Sequence, residues 1–392
     1  MRPRPFALER FFARHEFNAR YLLSTSDCQG LAMAALLAGA DAELRHRWEE
    51  LRLGYTESRG LPELRQEIAG LYREARADDV VVAAPEEGIF LAMNALLQPG
   101  DHVVCTFPGY QSLYQLALSL GCDVTLWEPA EGGDWLFDPL QLRELVRPDT
   151  RLIVWNFPHN PTGALPSPED LDKMLGVAGS VGAWVFSDEM YRFLEPSPEV
   201  RLPAAVDRYE RAVSLSGMSK AFGLAGLRIG WIATRDPSLL EELQSLKDYT
   251  TICSSAPSEL LALMALRSRE AILRSHRDRL RRNTTTVADF FARHSTRFEW
   301  IAPRAGTVCF PRVLGSPARR AGKVEQGPGE PNHGGAESFC SRVLRDTGVL
   351  LLPSTVYGYG DAHFRLGLGR EDFAEGLAVL DDYLESRDGQ AG

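Results

Sequence analysis

Between about residue 78 and residue 217 the chain alternates two patterns. Short unbroken apolar runs, DDVVVAA, DHVVCTF, CDVTLWEP, TRLIVWNFP, AWVFSDEM and RAVSLSG, recur along it. Most of the gaps hold segments with apolar residues at helical spacing: EEGIFLAMNALL, SLYQLALSL, PLQLRELV and PEDLDKMLGVAGSVG. The runs are too short for buried helices and lack the polar alternation of a half-exposed strand, so they predict strands covered on both faces. Strand–helix alternation of this kind predicts an α/β fold around a mostly parallel sheet, with chemistry gathered at the carboxyl ends of its strands.

The flanks read differently. Residues 1–30 predict an amphipathic helix followed by the irregular stretch YLLSTSDCQG, and residues 61–76 predict a helix with Pro62 near its start. Beyond RIGWIAT the pattern becomes mainly helical over 236–295, with one long stretch from about Ser258 to His294. A smaller α+β unit follows, with strands in FEWIAP, GTVCFPRV and FRLGLG and helices in ESFCSRVLRDTG and EDFAEGLAVLDDYLES. GSPARRAGKVEQGPGEPNHGG, rich in Gly and Pro, predicts a mobile surface loop. The expected division is an N-terminal segment, 1–45, joining a small domain of 281–392, around a large domain of 46–280. No internal repeat is visible.

Composition narrows the function classes. A chain of 392 residues exceeds what one hydrophobic core organises, which agrees with two domains. The net charge of −10 argues against an electrostatic footprint for nucleic acid, and the Arg-rich stretch Arg277–Arg282 reads as a solvated helix face. None of the six cysteines forms a CxxC pair, and their spacing with histidine gives no metal pattern, so no metal is expected. The N-terminus is charged throughout, with no signal-peptide core, and no apolar run is long enough to span a membrane. A cytoplasmic protein with no nucleic-acid or membrane partner is therefore expected. The predicted fold begins close to Met1, leaving no room there for an appended DNA-binding domain.

Candidate chemistry centres on SLSGMSKAFGLAGLRIGWIA, residues 214–233. There Lys220 sits among small and hydroxyl residues, and Arg228 follows eight positions later. An isolated lysine is most often a surface residue, but one held neutral in such a setting can form a Schiff base with a carbonyl. Three other motifs accompany it: NFPHNPTG at 156–163, FSDEMY at 186–191 and HFRLGLGR at 363–370. In this order and spacing they resemble the class I/II aminotransferases, pyridoxal-phosphate enzymes of fold type I. The resemblance runs from LGYTESRGLPELR to the terminal helix, and it implies a large domain with a seven-stranded, mostly parallel sheet plus a smaller α+β domain.

Roles follow from the resemblance. It implies that Lys220 holds pyridoxal 5′-phosphate as a Schiff base and then serves as the base at the substrate α-carbon. Asp188 would pair with the pyridine nitrogen, while Asn160 and Tyr191 would bond its phenolic oxygen. Arg228 and Ser219 would bind the phosphate, with backbone donors from the turn Ala84, Pro85 and Glu86. Tyr110 would stack on the ring. Tyr55 would reach the phosphate of a neighbouring subunit, implying a homodimer with shared sites. Arg365 would grip the substrate α-carboxylate through two parallel bonds, with Asn160 and Ser26 beside it; Arg370 is expected to pair with Glu371 or Asp372. Tyr110 and Tyr191 also fit as core aromatics, and Asp188 as a turn-capping residue.

Two positions depart from the family pattern. Pro85 has no N–H to donate in the phosphate cup, and Gly217 stands where many members carry a hydroxyl, which Ser216 or Ser219 would replace. Glu86, a carboxylate near a phosphate, is expected to point away. The resemblance implies amino transfer between an α-amino acid and a 2-oxo acid. NFPHNPTG, SKAFGLAGLRIGW and KDYTT at 247–251 also resemble the subgroup containing capreomycidine synthase, so a lyase or cyclase acting on a modified amino acid is the alternative. A catalytically silent cofactor-binding regulator is a third possibility, disfavoured by the lack of room for a DNA-binding domain.

Overall fold

The computed structural model describes residues 3–130, 133–316 and 334–388. Residues 317–333, most of the expected surface loop, lie outside the described residues. Seven strands build the main sheet: β1 (Val80–Ala83), β2 (His102–Thr106), β3 (Asp123–Trp127), β4 (Thr150–Asn156), β5 (Trp184–Asp188), β6 (Ala212–Gly217) and β7 (Gly230–Ala233). Their order is β1-β7-β6-β5-β4-β2-β3. Only β7 opposes the rest, pairing antiparallel with both β1 and β6.

Alternate residues of each strand enter opposite cores. On one face Val103, Cys105, Leu152 and Val154 pack with the helices Pro85–Leu96 and Ser112–Leu120. On the other, Val104, Ile153 and Trp155 pack with Leu171, Met174 and Val177 of the helix Pro168–Val181. Two-sided burial explains the unbroken apolar runs. The edge strand β3 is mostly exposed or half-buried, and elsewhere in this sheet only Arg151, near the start of β4, is exposed.

Helix boundaries follow their capping residues. Ser167 accepts the Asp170 N–H before Pro168, and Asp236 accepts the Leu239 N–H before Pro237. The helix expected over 61–76 is confined to Pro62–Ala69. Its tail instead turns inward, and the Tyr72 hydroxyl accepts a bond from Trp231 Nε1 at 2.8 Å. The long helical stretch is two helices, Ala256–Arg267 and Arg269–Arg293, separated at Ser268. On the longer one Arg279 is buried and pairs with Glu371 at 2.5 Å, so the Arg277–Arg282 face is not wholly solvated.

Five short strands form the smaller sheets: β8 (Phe298–Glu299), β9 (Val308–Cys309), β10 (Arg312–Val313), β11 (Leu352–Pro353) and β12 (Phe364–Gly367). β12 pairs with β11 and β9. The irregular segment after the N-terminal helix Ala7–His15 lies along β12, where the Gly367 N–H donates to Leu23 O at 2.8 Å. A Cβ at Gly367 would collide with the Thr25 carbonyl, and one at Gly369 with Asp27 O. The two glycines let this strap approach the strand.

Candidate active site

A cavity of about 500 Å³ opens at the carboxyl ends of β4 to β6, under the N-terminal helix and beside β12. Lys220, Asp188, Asn160, Tyr191 and Arg365 line it, as do Ser26, Tyr110, Ser219, Arg228, Pro85 and Glu86. Ala84 and Tyr55 are not in its wall. Four motifs separated by more than 200 positions thus converge on one space.

Register places the floor. Asn156 and Asp188 are partners at the ends of β4 and β5. The Asn156 side chain donates to Asp188 O at 3.0 Å, and its own oxygen accepts the Asn160 N–H at 2.8 Å. The turn bearing Asn160 is thereby fixed to the strand bearing Asp188. Asp188 is buried, with the Met190 N–H on Oδ1 at 3.1 Å. Burial pushes its pKa up to about 7, against the opposing pull of that N–H and of Lys220. Glu189, next in the chain, turns away and bonds Ser214 and the Ala205 N–H.

Lys220 lies past the end of β6. Its Nζ donates to Ser26 Oγ at 2.9 Å, and burial lowers its pKa. A lowered pKa raises the fraction of free amine, the form that attacks carbonyls and accepts protons. Ser26 also bonds the Tyr191 side chain, so one hydroxyl from the strap connects the amine and the phenol. Below the loop, His276 Nδ1 lies 2.9 Å from Ala221 O.

Arg365 on β12 is almost wholly buried, at 1 % exposure. Nε and Nη2 both donate to Ser24 O, at 2.9 and 2.7 Å. Nη1 donates to Tyr357 OH at 2.7 Å and to Asn160 Oδ1 at 3.1 Å. Of the five guanidinium N–H groups only one, on Nη2, is uncommitted among the described residues. Two parallel bonds to a carboxylate therefore require an exchange of partners. Asn160 Oδ1 already accepts from Arg365, which leaves its amide N–H groups as donors beside the guanidinium. Arg370 bonds Thr25 Oγ1 at 2.9 Å and Asp27 at 3.3 Å; the expected pairing with Glu371 or Asp372 is replaced because the strap lies closer and Arg279 holds Glu371.

The opposite end of the cavity corrects three expectations. The Ala84 N–H is taken by the Glu87 side chain at 3.3 Å, so it is not a free donor. The N–H groups of Glu86 and Glu87, in the first turn of the Pro85–Leu96 helix, have no intrahelical acceptor. Glu86 faces the cavity, accepts the Ser112 hydroxyl at 3.0 Å and bonds Tyr110; burial raises its pKa, which relieves the conflict with a nearby anion. Ser216 turns to Glu189 O, so Ser219 is the hydroxyl left beside Arg228 at the wall. The two departures from the family pattern are one packing arrangement. A Cβ at Gly217 would lie 3.1 Å from Pro85 Cγ, 2.9 Å from Gly230 Cα and 3.1 Å from Ile229 O. The proline ring occupies the space a larger residue at 217 would need.

Sequence reasoning missed Tyr357, the part played by the Ser24 carbonyl, Glu9 and Phe12 of the N-terminal helix, and Glu16 in the turn after it. Tyr357 stands in an irregular segment with no periodic signal, and Ser24 acts through its carbonyl, which any residue carries.

An amine, a buried carboxylate, two phenols and a guanidinium, set at separate points around one cavity on an α/β sheet, fit the parts of pyridoxal phosphate. Fold and site together define a fold type I pyridoxal-phosphate enzyme. The sequence pattern of the family described as Aminotransferase class I and II matches residues 21–376, and the chain belongs to that family. It is 29 % identical over 382 residues to capreomycidine synthase of Streptomyces vinaceus, covering 96 % of this chain and 93 % of that protein. A pyridoxal-phosphate-dependent aminotransferase of known structure from Streptococcus suis superposes with a TM-score of 0.87 at 29 % identity, covering 98 % of this chain and 99 % of that one. The structure of the pyridoxal-phosphate-dependent cyclase OrfR gives a TM-score of 0.86 at 30 % identity, covering 99 % and 98 %.

Proposed function

We propose that the protein moves an amino group between an α-amino acid and a 2-oxo acid, with Lys220 as the cofactor-bearing residue and proton carrier. One observation carries this reading: the Lys220 amine, its pKa lowered, opens into the same cavity as the buried Asp188 and Arg365. Pyridoxal phosphate, when bound, supplies a carbonyl for imine exchange and an electron sink for the pair left when the substrate Cα–H bond breaks. Lys220 Nζ takes the proton from Cα and holds it for return. Asp188 pairs with the pyridine nitrogen, and Asn160 and Tyr191 hold the phenolic oxygen. Tyr110 covers the ring. Arg228, Ser219 and the Glu86 and Glu87 N–H groups hold the phosphate. Arg365 and the Asn160 amide hold the α-carboxylate, and the buried guanidinium excludes water from that end.

The likeness to a synthase and to a cyclase supports a second reading, elimination or cyclisation on a modified amino acid. Product analysis separates them. Amino transfer converts the cofactor to its amine form, whereas elimination or cyclisation returns the aldehyde form. Purified protein should absorb in the visible, and Lys220→Ala should abolish that band and lower turnover by about 10²–10⁴-fold. A colourless wild type that takes up no added cofactor would overturn both readings.

A homodimer is also proposed. Leu53, Tyr55 and Tyr249 are exposed by 83, 91 and 92 %. They belong to adjoining segments, because Thr56 bonds Ser254 O and Gln244 bonds Ser58. A second copy on this face would cover them and bring Tyr55 to the partner's phosphate. Light scattering at twice the chain mass supports this, and a monomer retaining full activity refutes it. No helix among the described residues is long and apolar enough to cross a membrane. The proposed compartment is the cytoplasm, in keeping with six free cysteines.

A further inference from the structure

Lys247, the last residue of the helix Pro237–Lys247, is wholly buried yet lies outside the wall of the active-site cavity. A buried ammonium is destabilising unless charge and hydrogen bonds compensate it, so its partners show what it serves. Nζ donates to Thr251 Oγ1 at 2.6 Å and lies 3.7 Å from Glu87 Oε1. Thr251 in turn donates to that Glu87 oxygen at 2.7 Å, and Thr250 donates to it as well. The other oxygen, Oε2, accepts the Ala84 N–H at 3.3 Å. One carboxylate thus ties the start of the Pro85–Leu96 helix to the end of the Pro237–Lys247 helix. Behind it, Ile89 and Met93 of the first share a core with Leu239 and Leu243 of the second.

The tie bears on the phosphate end of the cavity. The Glu86 and Glu87 N–H groups, the backbone donors proposed for the phosphate, belong to the same first turn, and their direction depends on how that turn is held. Glu87 places a carboxyl group beside the position proposed for an anion. Its side chain is engaged by Lys247 and two hydroxyls, away from the cavity wall that Glu86 lines. A second carboxylate faces the same cation. Burial pushes the Glu259 pKa up to about 7, against the pull of the Leu61 N–H and of the Lys247 charge. Glu259 Oε2 accepts that N–H at 3.3 Å. Leu61 follows Tyr55 by six positions, and Tyr55 is the residue proposed to reach the partner's phosphate. One buried cation therefore stands between the two segments to which phosphate contacts are assigned.

We propose that Lys247 is a positioning residue for the cofactor phosphate. Through Glu87 it fixes the first turn of the Pro85–Leu96 helix and keeps that carboxylate off the donors the phosphate needs. The proposal rests on the assignment of pyridoxal phosphate to this cavity and holds for amino transfer and elimination alike. An apolar group in place of the ammonium leaves Glu87 without its counter-charge. The Glu86 and Glu87 N–H groups of its own turn then compete for the carboxylate, to the cost of the phosphate.

The test titrates the full chain, stripped of cofactor, with pyridoxal phosphate and with pyridoxal, which lacks only the phosphate. Both dissociation constants are read from visible absorption, so no turnover is needed. In the wild type the phosphate is expected to raise affinity by about 100-fold or more. Lys247→Met should cut that ratio about tenfold and leave pyridoxal binding within about threefold of wild type. Thr251→Val breaks the hydroxyl link while keeping both charges, and should cut the ratio about threefold. It reads the same link if Lys247→Met does not fold. Lys247→Met combined with Glu87→Gln removes both charges and should recover part of the ratio. An equal loss of both ligands in Lys247→Met and Thr251→Val marks a merely structural role and overturns the proposal. A double variant no better than Lys247→Met alone overturns it too, as does an unchanged ratio in both single variants, while the enzyme reading stands. A wild type that binds neither ligand overturns the reading of the cavity along with the proposal.

Discussion

At the scale of single residues, the structure turns two unrelated-looking oddities into one. Pro85 and Gly217 are 132 positions apart in sequence, yet the proline ring lies against the space above the glycine. Gly217→Ser is expected to destabilise the protein by about 1–3 kcal/mol through overpacking. Pro85→Ala in the same chain should recover part of that loss, because contacts with Gly230 Cα and Ile229 O remain. Denaturant melts of the two single variants and the double variant measure the coupling, and strict additivity would refute it. Asp188 supplies a pH prediction. Its pKa of about 7 lies above the ordinary 3.8, so folding favours the protonated acid. The contribution of this group to stability is therefore full below about pH 4 and declines as pH rises to about 7. A cationic partner is worth most where the carboxylate is ionised, so the gain in Tm on adding cofactor should be larger at pH 8 than at pH 5. Equal gains at both would contradict the role given to Asp188. Lys220, Asp188, Asn160 and Arg365 were legible because side-chain chemistry at fixed spacing marks them. The Ala84 N–H was misjudged because whether it is free depends on where the Glu87 side chain turns.

At the scale of elements, the main sheet was the most readable part of the chain. Both faces of β1, β2, β5, β6 and β7, and of β4 after Arg151, are buried, and unbroken apolar runs are what such burial demands. The small sheets were harder, since β8 to β11 have two residues each and carry no periodicity. Nor does local sequence announce that a helix stops early because Tyr72 is needed beneath Trp231. The strap across β12 is equally non-local. Gly367→Ala would force Thr25 away from the strand and, with it, the Ser24 carbonyl that holds Arg365. The expected result is a KM for amino acids raised about 10–100-fold, with the visible cofactor band retained. Loss of the band together with affinity would show instead that the whole fold is affected.

Across the whole molecule, the helix Arg269–Arg293 connects the two ends of the site. His276 contacts the loop after Lys220, and two turns later Asn283 donates to Leu368 O and Arg370 O beyond β12. The distance between Lys220 and Arg365 is thus spanned by one continuous rod. Asn283→Ala leaves two carbonyls without this donor, and a stability loss of about 1–3 kcal/mol is expected in thermal or denaturant melts. Affinity for amino acids should weaken more than affinity for the cofactor, and the reverse order would argue against the strut. Sequence periodicity indicated a long helix in this region but not its break at Ser268 or its two attachments, which depend on what lies opposite each face.

With Arg365 receiving the α-carboxylate, as proposed, the Ser24 carbonyl on it also works as a filter. Because the guanidinium already holds a neutral peptide oxygen, an incoming molecule gains only the difference between its own acceptor and that one. An amino-acid amide or ester offers an oxygen much like the one it would displace, and so gains little. A free carboxylate brings a full charge to a buried cation, an interaction roughly twice as strong as a neutral hydrogen bond. The chain's own backbone therefore sets the threshold that a free amino acid clears and the same residue inside a peptide does not.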